Sequence, residues 1–188
     1  NVVLVAKHRD GTITEGEEKI PKAHKAIDKV LLRPDLPEAT PEAIKAIEEA
    51  EVIVLGPGSL YTSIIPNLLI KDISKAIARS KATKFYVCNI MTQPGETDGF
   101  SAADHVKILI NHSNSGIIDY CIVNNGQISS EILQRYAKQN SCAVTNDAKN
   151  IKNMGYRVIE DNIAVSETVV RHDPVKLAKI IFGFLEEI

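Results

Sequence analysis

Two stretches carry residues that could do chemistry: VIVLGPGSLYTS at 52–63 and NIMTQPGETDGFSAADH at 89–105. In the first, an apolar run stops at Gly56, Pro57 and Gly58. Ser59, Tyr61, Thr62 and Ser63 follow, where a helix can begin. Glycine has no Cβ, so backbone there can approach a ligand closely. A helix N-terminus adds free N–H groups and a positive dipole end, which suit a phosphate. The same Gly-Pro-Gly also serves as a plain strand-to-helix turn, and spacing alone leaves both possibilities open. Two familiar nucleotide motifs are excluded. GxGxxG would need glycine where Tyr61 stands, and the acidic residue that goes with it is absent from the next strand end. No GK[ST] follows, so this is not a P-loop. Pro66 is expected to interrupt the helix that starts here.

The second stretch is a long loop between an apolar run and a helix. Asn89, Met91 and Thr92 sit at the end of the run. Pro94, Gly95 and Gly99 then make a loop of the length that often forms a lid at a ligand edge. Thr97, Asp98, Asp104 and His105 could face a ligand. Asp98 and Asp104 could also hold Mg²⁺ together with phosphate oxygens. Asp104 stands three residues after Ser101, which fits a helix capping box better than a metal ligand. His105 and His112 are seven apart on one helical face. With no third ligand in sight, a solvated face explains them better than a metal. Asn124 ends a further apolar run. Tyr136 offers an aromatic face to a base, or core packing beside Ile132 and Leu133. Arg171 offers a guanidinium to phosphate, or is a surface residue.

These residues need elements to position them. Val2–Ala6 and Thr12–Thr14 flank the turn signal Arg9-Asp10-Gly11 and predict an antiparallel hairpin, and Ile27–Leu32 predicts another strand. Thr40-Pro41 opens a helix with Ala43, Ile44, Ile47 and Ala50 at helical spacing. Val52–Leu55, bare of polar residues, reads as a strand buried on both faces. The alternation continues with a helix at 73–80, a strand at 85–88, a helix at 101–112, a strand at 120–123, a helix at 129–139 and a short strand at 143–145. Val158–Ile159 and Val165–Val170 are late strand candidates. Asp173-Pro174 opens a last helix with Leu177, Ile180, Ile181 and Leu185 on its apolar face. Such alternation predicts an α/β fold: a Rossmann-like, mostly parallel sheet with helices on both faces, plus an antiparallel hairpin near the start. One α/β domain over 1–188 is expected.

In open α/β sheets, ligands bind outside the carboxyl ends of the strands. The predicted ends are Gly56–Ser59, Asn89–Gln93, Asn124–Gly126 and Thr145–Asp147. They carry glycines, amides and hydroxyls with few charges, which suits a sugar, a ribose or a nucleobase.

Composition sets outer limits. The 188 residues are 44% hydrophobic and 24% charged, with net charge −2. That profile is ordinary for a globular chain and gives no basic block for nucleic acid. No apolar run approaches the roughly 18 residues of a membrane helix. The three cysteines, Cys88, Cys121 and Cys142, form no CxxC and lie in or beside apolar runs. They read as small buried residues kept reduced in a cytoplasm. The chain starts at Asn1 rather than Met, which suggests part of a longer polypeptide.

GPGSLYTSIIPNLL together with YVCNIMTQPGETDGFSAADH resembles the CofD-like superfamily, and within it the YvcK branch, the bacterial gluconeogenesis factors. VVLVAKHRDGTITEGEEKI and VVRHDPVKLAKII fit as well, so the likeness covers essentially the whole chain. The family's Gly-rich GGGTG and Asp-Asp-Gly-Gly stretches are missing, so the resemblance identifies this chain with the C-terminal part of such a domain. It implies two functions. CofD proteins are Mg²⁺-dependent transferases that move a phospholactyl group from a nucleoside-diphosphate-linked donor to a deazaflavin alcohol. YvcK-like proteins are similar in fold but are regulators that bind UDP-sugars such as UDP-N-acetylglucosamine. They support cell-wall synthesis, cell shape and growth on gluconeogenic carbon. The wording of the second stretch favours the regulator. On that basis Gly56, Pro57, Gly58, Ser59, Tyr61 and Thr62 would hold the diphosphate and nucleotide. Asn89, Met91, Thr92, Asn124, Tyr136 and Arg171 would contact sugar or base. The loop with Gly95, Thr97 and Asp98 would close over them. The expected assembly is a homo-oligomer, a dimer. A plain NAD oxidoreductase has little support, because its fingerprint fails.

Overall fold

The computed structural model describes residues 2–166 and 168–186, with side chains described as far as 184. Strands β1 (Val3–His8), β2 (Ile13–Glu15) and β3 (Ile27–Arg33) form an antiparallel sheet in the order β2-β1-β3. The hairpin turn is built as its residues predict. Asp10 accepts from the Thr12 backbone N–H and hydroxyl, and Gly11 takes φ +83°. A short helix, α1 (Lys19–Lys22), joins β2 to β3.

Helix α2 (Pro41–Glu49) starts at Thr40, whose hydroxyl accepts from the Ala43 N–H. Strand β4 (Val52–Leu55) then begins a second sheet with β5 (Thr83–Val87), β6 (Tyr120–Asn124) and β7 (Arg157–Asp161). All pairs are parallel, in the order β4-β5-β6-β7. Between β4 and β5 lie a wide turn over Leu60–Ile64, α3 (Ile65–Leu68) and α4 (Lys71–Arg79). Pro66 is the second residue of α3, where its missing N–H costs nothing. Helix α5 (Ala102–Asn111) follows β5 and carries the predicted capping box. Ser101 accepts from the Asp104 N–H, and Asp104 accepts from the Ser101 N–H. Then come α6 (Ser130–Ala137), α7 (Ala148–Asn153), the hairpin β8 (Ala164–Ser166) with β9 (Val170–His172), and α8 (Pro174–Glu186).

Alternation along the strands divides the core. Leu55, Tyr86, Cys88, Cys121 and Val123 face one side. There they pack with Ile77 of α4, Leu109 of α5, Ile151 of α7, and Leu4 and Val30 of the antiparallel sheet. Phe85, Val87 and Ile122 face the other side and pack with Leu177, Ile180, Ile181 and Phe184 of α8. The side chain of Leu185 lies outside the described residues. The fold is therefore the expected α/β class, a four-stranded parallel sheet flanked by helices with a small antiparallel sheet beside it.

Three expectations are corrected. β4 is not buried on both faces. It is an edge strand, and Val54 is 41% exposed. Residues 143–145 do not form a parallel strand. They make single bridges, Met91 with Ala143 (antiparallel) and Ser101 with Thr145 (parallel), both to residues beyond the end of β5. The fourth parallel strand is β7. The late run 165–170 is taken up by the β8–β9 hairpin, and Glu167 lies outside the described residues. Among the described residues no helix is long and apolar enough to cross a membrane.

Candidate functional site

A cleft of about 940 Å³ opens at the carboxyl ends of β4 and β5. That volume matches a nucleotide-sized ligand. One wall comes from the turn after β4: Pro57, Gly58, Ser59, Thr62 and Ser63. The floor comes from the segment after β5, Asn89 to Pro94 and Glu96. Tyr136, Gln139 and Ser141 close one side, and Val170, Arg171 and His172 of β9 another. Glu17, Glu18 and Pro21 reach in from the antiparallel sheet.

The wall turn is unusual. Ser59 O accepts from both Ser63 N and Ile64 N at 3.0 Å, and the Ile65 N–H reaches back to Leu60 O. The Ile64 and Ile65 bonds span five residues and widen the helix into a π-turn, a form common at functional sites. Gly56 takes φ +90°, and a Cβ there would stand 3.1 Å from both Val87 O and Ile64 Cδ1. Gly56 is thus fixed by the turn. Gly58, which lines the cleft, has ordinary φ and room for a Cβ, the nearest atom being Ser63 Cβ at 3.4 Å.

A helix start leaves its first N–H groups without intrahelical acceptors. Here a residue of the chain already stands against them. The carboxyl of Glu96, only 4% exposed, accepts from Thr62 Oγ1 at 3.1 Å. Burial pushes its pKa up, and the Thr62 hydroxyl and the backbone N–H groups of Tyr61 and Thr62 oppose the rise. Its Oε2 is buried without a hydrogen-bond partner of good geometry. The anion position at Tyr61 and Thr62 is therefore self-occupied. The polar edge left for a ligand is the chain in which Asn89 Nδ2 donates to Gln93 Oε1 at 3.3 Å and Gln93 Nε2 donates to Ser59 Oγ at 2.7 Å.

The structure brings together Pro57, Gly58, Ser59, Thr62, Asn89, Met91, Thr92, Tyr136 and Arg171. Tyr136 Oη also accepts from the Val170 N–H at 3.0 Å, which fixes β9 against α6. Thr92 is largely committed to the fold: its Oγ1 accepts from Cys142 N and its carbonyl from Ser141 Oγ.

Other predicted site residues lie elsewhere. Tyr61 is fully buried, edge-on to Phe100 and His112, with its pKa pushed up to about 12 by burial. Asn124 caps the end of β6, accepting from Gly126 N and Ile163 N. The presumed lid is a packed loop. Gly95 has φ +80°, and a Cβ there would meet Pro21 O at 2.5 Å. Thr97 is buried, and its hydroxyl accepts from Gln93 N. Asp98 is exposed but accepts from Gly95 N.

Asp98 and Asp104 are both engaged with backbone N–H groups, and no cluster of three or more His, Cys, Asp or Glu suits a metal among the described residues. His105 and His112 do not form a solvated face. His105 is buried against Phe100 with Nδ1 donating to Ser101 O at 2.8 Å. His112 donates from Nδ1 to Ile108 O and accepts from Val30 N at Nε2, tying α5 to β3. Burial lowers the pKa of both, so both are neutral structural groups. Cys88 and Cys121 are buried as expected, but Cys142 is exposed.

Sequence reasoning placed Gln93 at a strand end without giving it a contact, and it missed Glu96, although both lie in a stretch it singled out. The signal was there: a polar and an acidic residue around a Pro-Gly turn at a strand end. It missed His172, whose Nε2 donates to Cys88 O at 3.0 Å. Glu17 and Glu18 carry no local signal and join the cleft only through the packing of the two sheets.

A family model described as 2-phospho-L-lactate transferase CofD matches residues 1–164. The chain is 43% identical over its whole length to the gluconeogenesis factor of Bacillus subtilis, covering 59% of that protein. It is 42% identical to the gluconeogenesis factor of Halalkalibacterium halodurans, over 96% of this chain and 56% of that protein. A crystal structure of a UPF0052 family member from Bacillus halodurans superposes with a TM-score of 0.93 at 42% identity, over 97% of this chain and 58% of that one. The chain spans about two fifths to three fifths of the length of the curated relatives it matches. On the family match and these identities, the chain belongs to the CofD family and is similar throughout to its gluconeogenesis-factor members.

Proposed function

We propose that the cleft binds a nucleotide-sugar, a UDP-sugar in particular, and that the protein is a regulator of the gluconeogenesis-factor type with a role in cell-wall synthesis, cell shape and carbon metabolism. The observation that carries this is the character of the cleft. It lies at the carboxyl ends of two parallel strands and, alongside the carboxylates of Glu17 and Glu18, presents uncharged donors and acceptors on Ser59, Asn89 and Gln93. Tyr136 and Arg171 border it and offer an aromatic face and a guanidinium for base and phosphate. Because Glu96 fills the anion position at Tyr61 and Thr62, the phosphates are expected toward Gly58, Ser59 and Arg171, with hydroxyls of the ligand near Gln93 and Asn89. A cytoplasmic location and a dimer belong to the same proposal.

The second reading is a transferase acting on a nucleoside-diphosphate-linked donor. It is favoured by the name of the matching family model. Phosphoryl-type transfer asks mainly for positioning and charge neutralisation, so the lack of an evident nucleophile does not decide against it. Calorimetric titration with UDP-N-acetylglucosamine, with and without Mg²⁺, separates the two. It is done on this chain and on a polypeptide that joins it to the unmatched part of a relative. Micromolar binding without turnover supports the regulator. Failure to bind any UDP-sugar, with turnover of a phospholactyl donor and a deazaflavin acceptor, supports the transferase.

A further inference from the structure

The cleft carries its charge unevenly. At one end stand Tyr136 and β9, held together by the bond from the Val170 N–H to Tyr136 Oη. Arg171 of β9 is the one lysine or arginine among the described lining residues. The other end is acidic. Glu17, Glu18 and Pro21 line it, and the loop that carries Glu96 packs against them. A Cβ added to Gly95 in that loop would meet Pro21 O at 2.5 Å. Burial chiefly, and the Glu17 carboxylate in addition, push the pKa of Glu96 up, which sets Glu17 close to it. Among the described residues none of the three carboxyl groups is in an ion pair, and Glu96 Oε2 is buried without a hydrogen-bond partner.

We infer that the acidic end selects the sugar of the ligand: Glu17, Glu18 and Glu96 admit a neutral, hydroxyl-bearing hexose and reject one that carries a carboxylate. The inference rests on the nucleotide-sugar reading above and narrows its substrate class. With the base at Tyr136 and the diphosphate at Gly58, Ser59 and Arg171, the sugar lies beyond the diphosphate, on the side of Glu17 and Glu18. A carboxylate accepts hydrogen bonds and a sugar hydroxyl has one to donate, so Glu17 and Glu18 suit hydroxyls. A uronic acid would bring a further carboxylate against them, with no free cation at that end. Nor can it turn to the N–H groups of Tyr61 and Thr62, because Glu96 already fills that position. Glu96 has little freedom to swing away. It is 4% exposed, and its loop is pinned where Thr97 N donates to Gln93 O, Gln93 N to Thr97 Oγ1 and Gly95 N to Asp98 Oδ2. Unpaired like charge of this kind discriminates against a ligand of nearly the same shape.

UDP-glucose and UDP-glucuronate differ at C6 alone, hydroxymethyl against carboxylate, and are the probes. Each is titrated by calorimetry into this chain and into the polypeptide that joins it to the unmatched part of a relative, at low and at high salt. UDP-glucuronate is expected to bind more weakly by about tenfold or more at low salt. The gap is expected to shrink as salt rises, because Glu17 and Glu18 are exposed. Replacing both, Glu17→Gln with Glu18→Gln, is expected to narrow the gap by roughly threefold or more. Glu17→Asp with Glu18→Asp, which keeps the charge, is expected to retain most of it. Both positions are exposed, so these variants probe recognition rather than folding. Equal affinities in a polypeptide that binds UDP-glucose overturn the inference and leave the nucleotide-sugar reading standing. So does a gap that the paired glutamines leave unchanged. Binding of neither probe to either polypeptide overturns that reading, and the inference with it.

Discussion

Gly56 and Gly58 sit two residues apart and should answer differently to the same substitution. In Gly56→Ala the new Cβ meets a backbone oxygen and a buried side chain at 3.1 Å, at a φ of +90° that L residues rarely adopt. Such a conformation costs about 1–3 kcal/mol. Val87 O belongs to β5 and cannot retreat without disturbing its strand, so a loss of about 2 kcal/mol is expected. For a chain of this length that is roughly 4–8 °C in melting temperature. In Gly58→Ala the Cβ has ordinary φ and a nearest contact of 3.4 Å, so stability should change by less than about 0.5 kcal/mol. Gly58 lines the cleft, however, so a methyl there should weaken nucleotide-sugar binding while the fold stands. Thermal melting of both variants, followed by calorimetric titration of Gly58→Ala, checks the pair. A Gly56→Ala that melts with the parent would refute the steric reasoning. A Gly58→Ala that binds like the parent would return Gly-Pro-Gly to the role of a plain turn.

Other predictions follow from single residues. Glu96 has a folded-state pKa raised above its ordinary value near 4.5, chiefly by burial. Its contribution is fully present below that value and is lost as pH rises through the folded pKa, so Glu96→Gln should flatten the fall in stability above pH ~4.5 in urea titrations. Ser101→Ala removes the hydroxyl that caps α5, and should cost about 1 kcal/mol by denaturant unfolding. Ser59→Ala removes the Gln93 partner on the cleft wall, and should weaken ligand binding about 2- to 12-fold with little loss of stability. Cys142 is exposed, whereas Cys88 is buried with its pKa pushed up to about 12. A thiol reagent should therefore label Cys142 fast, and Cys88 and Cys121 only on unfolding.

Local signals account for much of this fold. Thr40-Pro41, Ser101 with Asp104 and Asp173-Pro174 mark helix starts that the structure keeps, because capping is settled within four residues. Val52–Leu55 is found with its bounds as read, and the other parallel strands lie within two residues of theirs or, like β7, extend a shorter run. What failed depends on neighbours distant in sequence. VIVL shows that β4 is apolar, but not that one edge is open. Residues 143–145 have strand-like composition, yet they are held by the segment that follows β5, with Val144 N donating to Ile90 O and Thr92 N to Cys142 O. The site was legible where residues follow a strand end directly, as at Ser59, Asn89 and Thr92. Tyr61 was misplaced because the π-turn rotates it into the core. Asn124 was misplaced because its side chain closes its own turn. Glu96 was overlooked because a carboxylate in a loop ordinarily faces water, and only the packing of that loop under the 59–64 turn buries it.

The central claim is that the cleft beyond β4 and β5 is a nucleotide-sugar site. Its most direct test is hydrogen exchange with and without saturating UDP-N-acetylglucosamine, resolved to short peptides. Protection is predicted together in 57–63, 89–94, 136–141 and 170–172, with helices α2 and α4 unchanged. Protection confined to other surfaces, or none at a concentration where calorimetry shows binding, would contradict it.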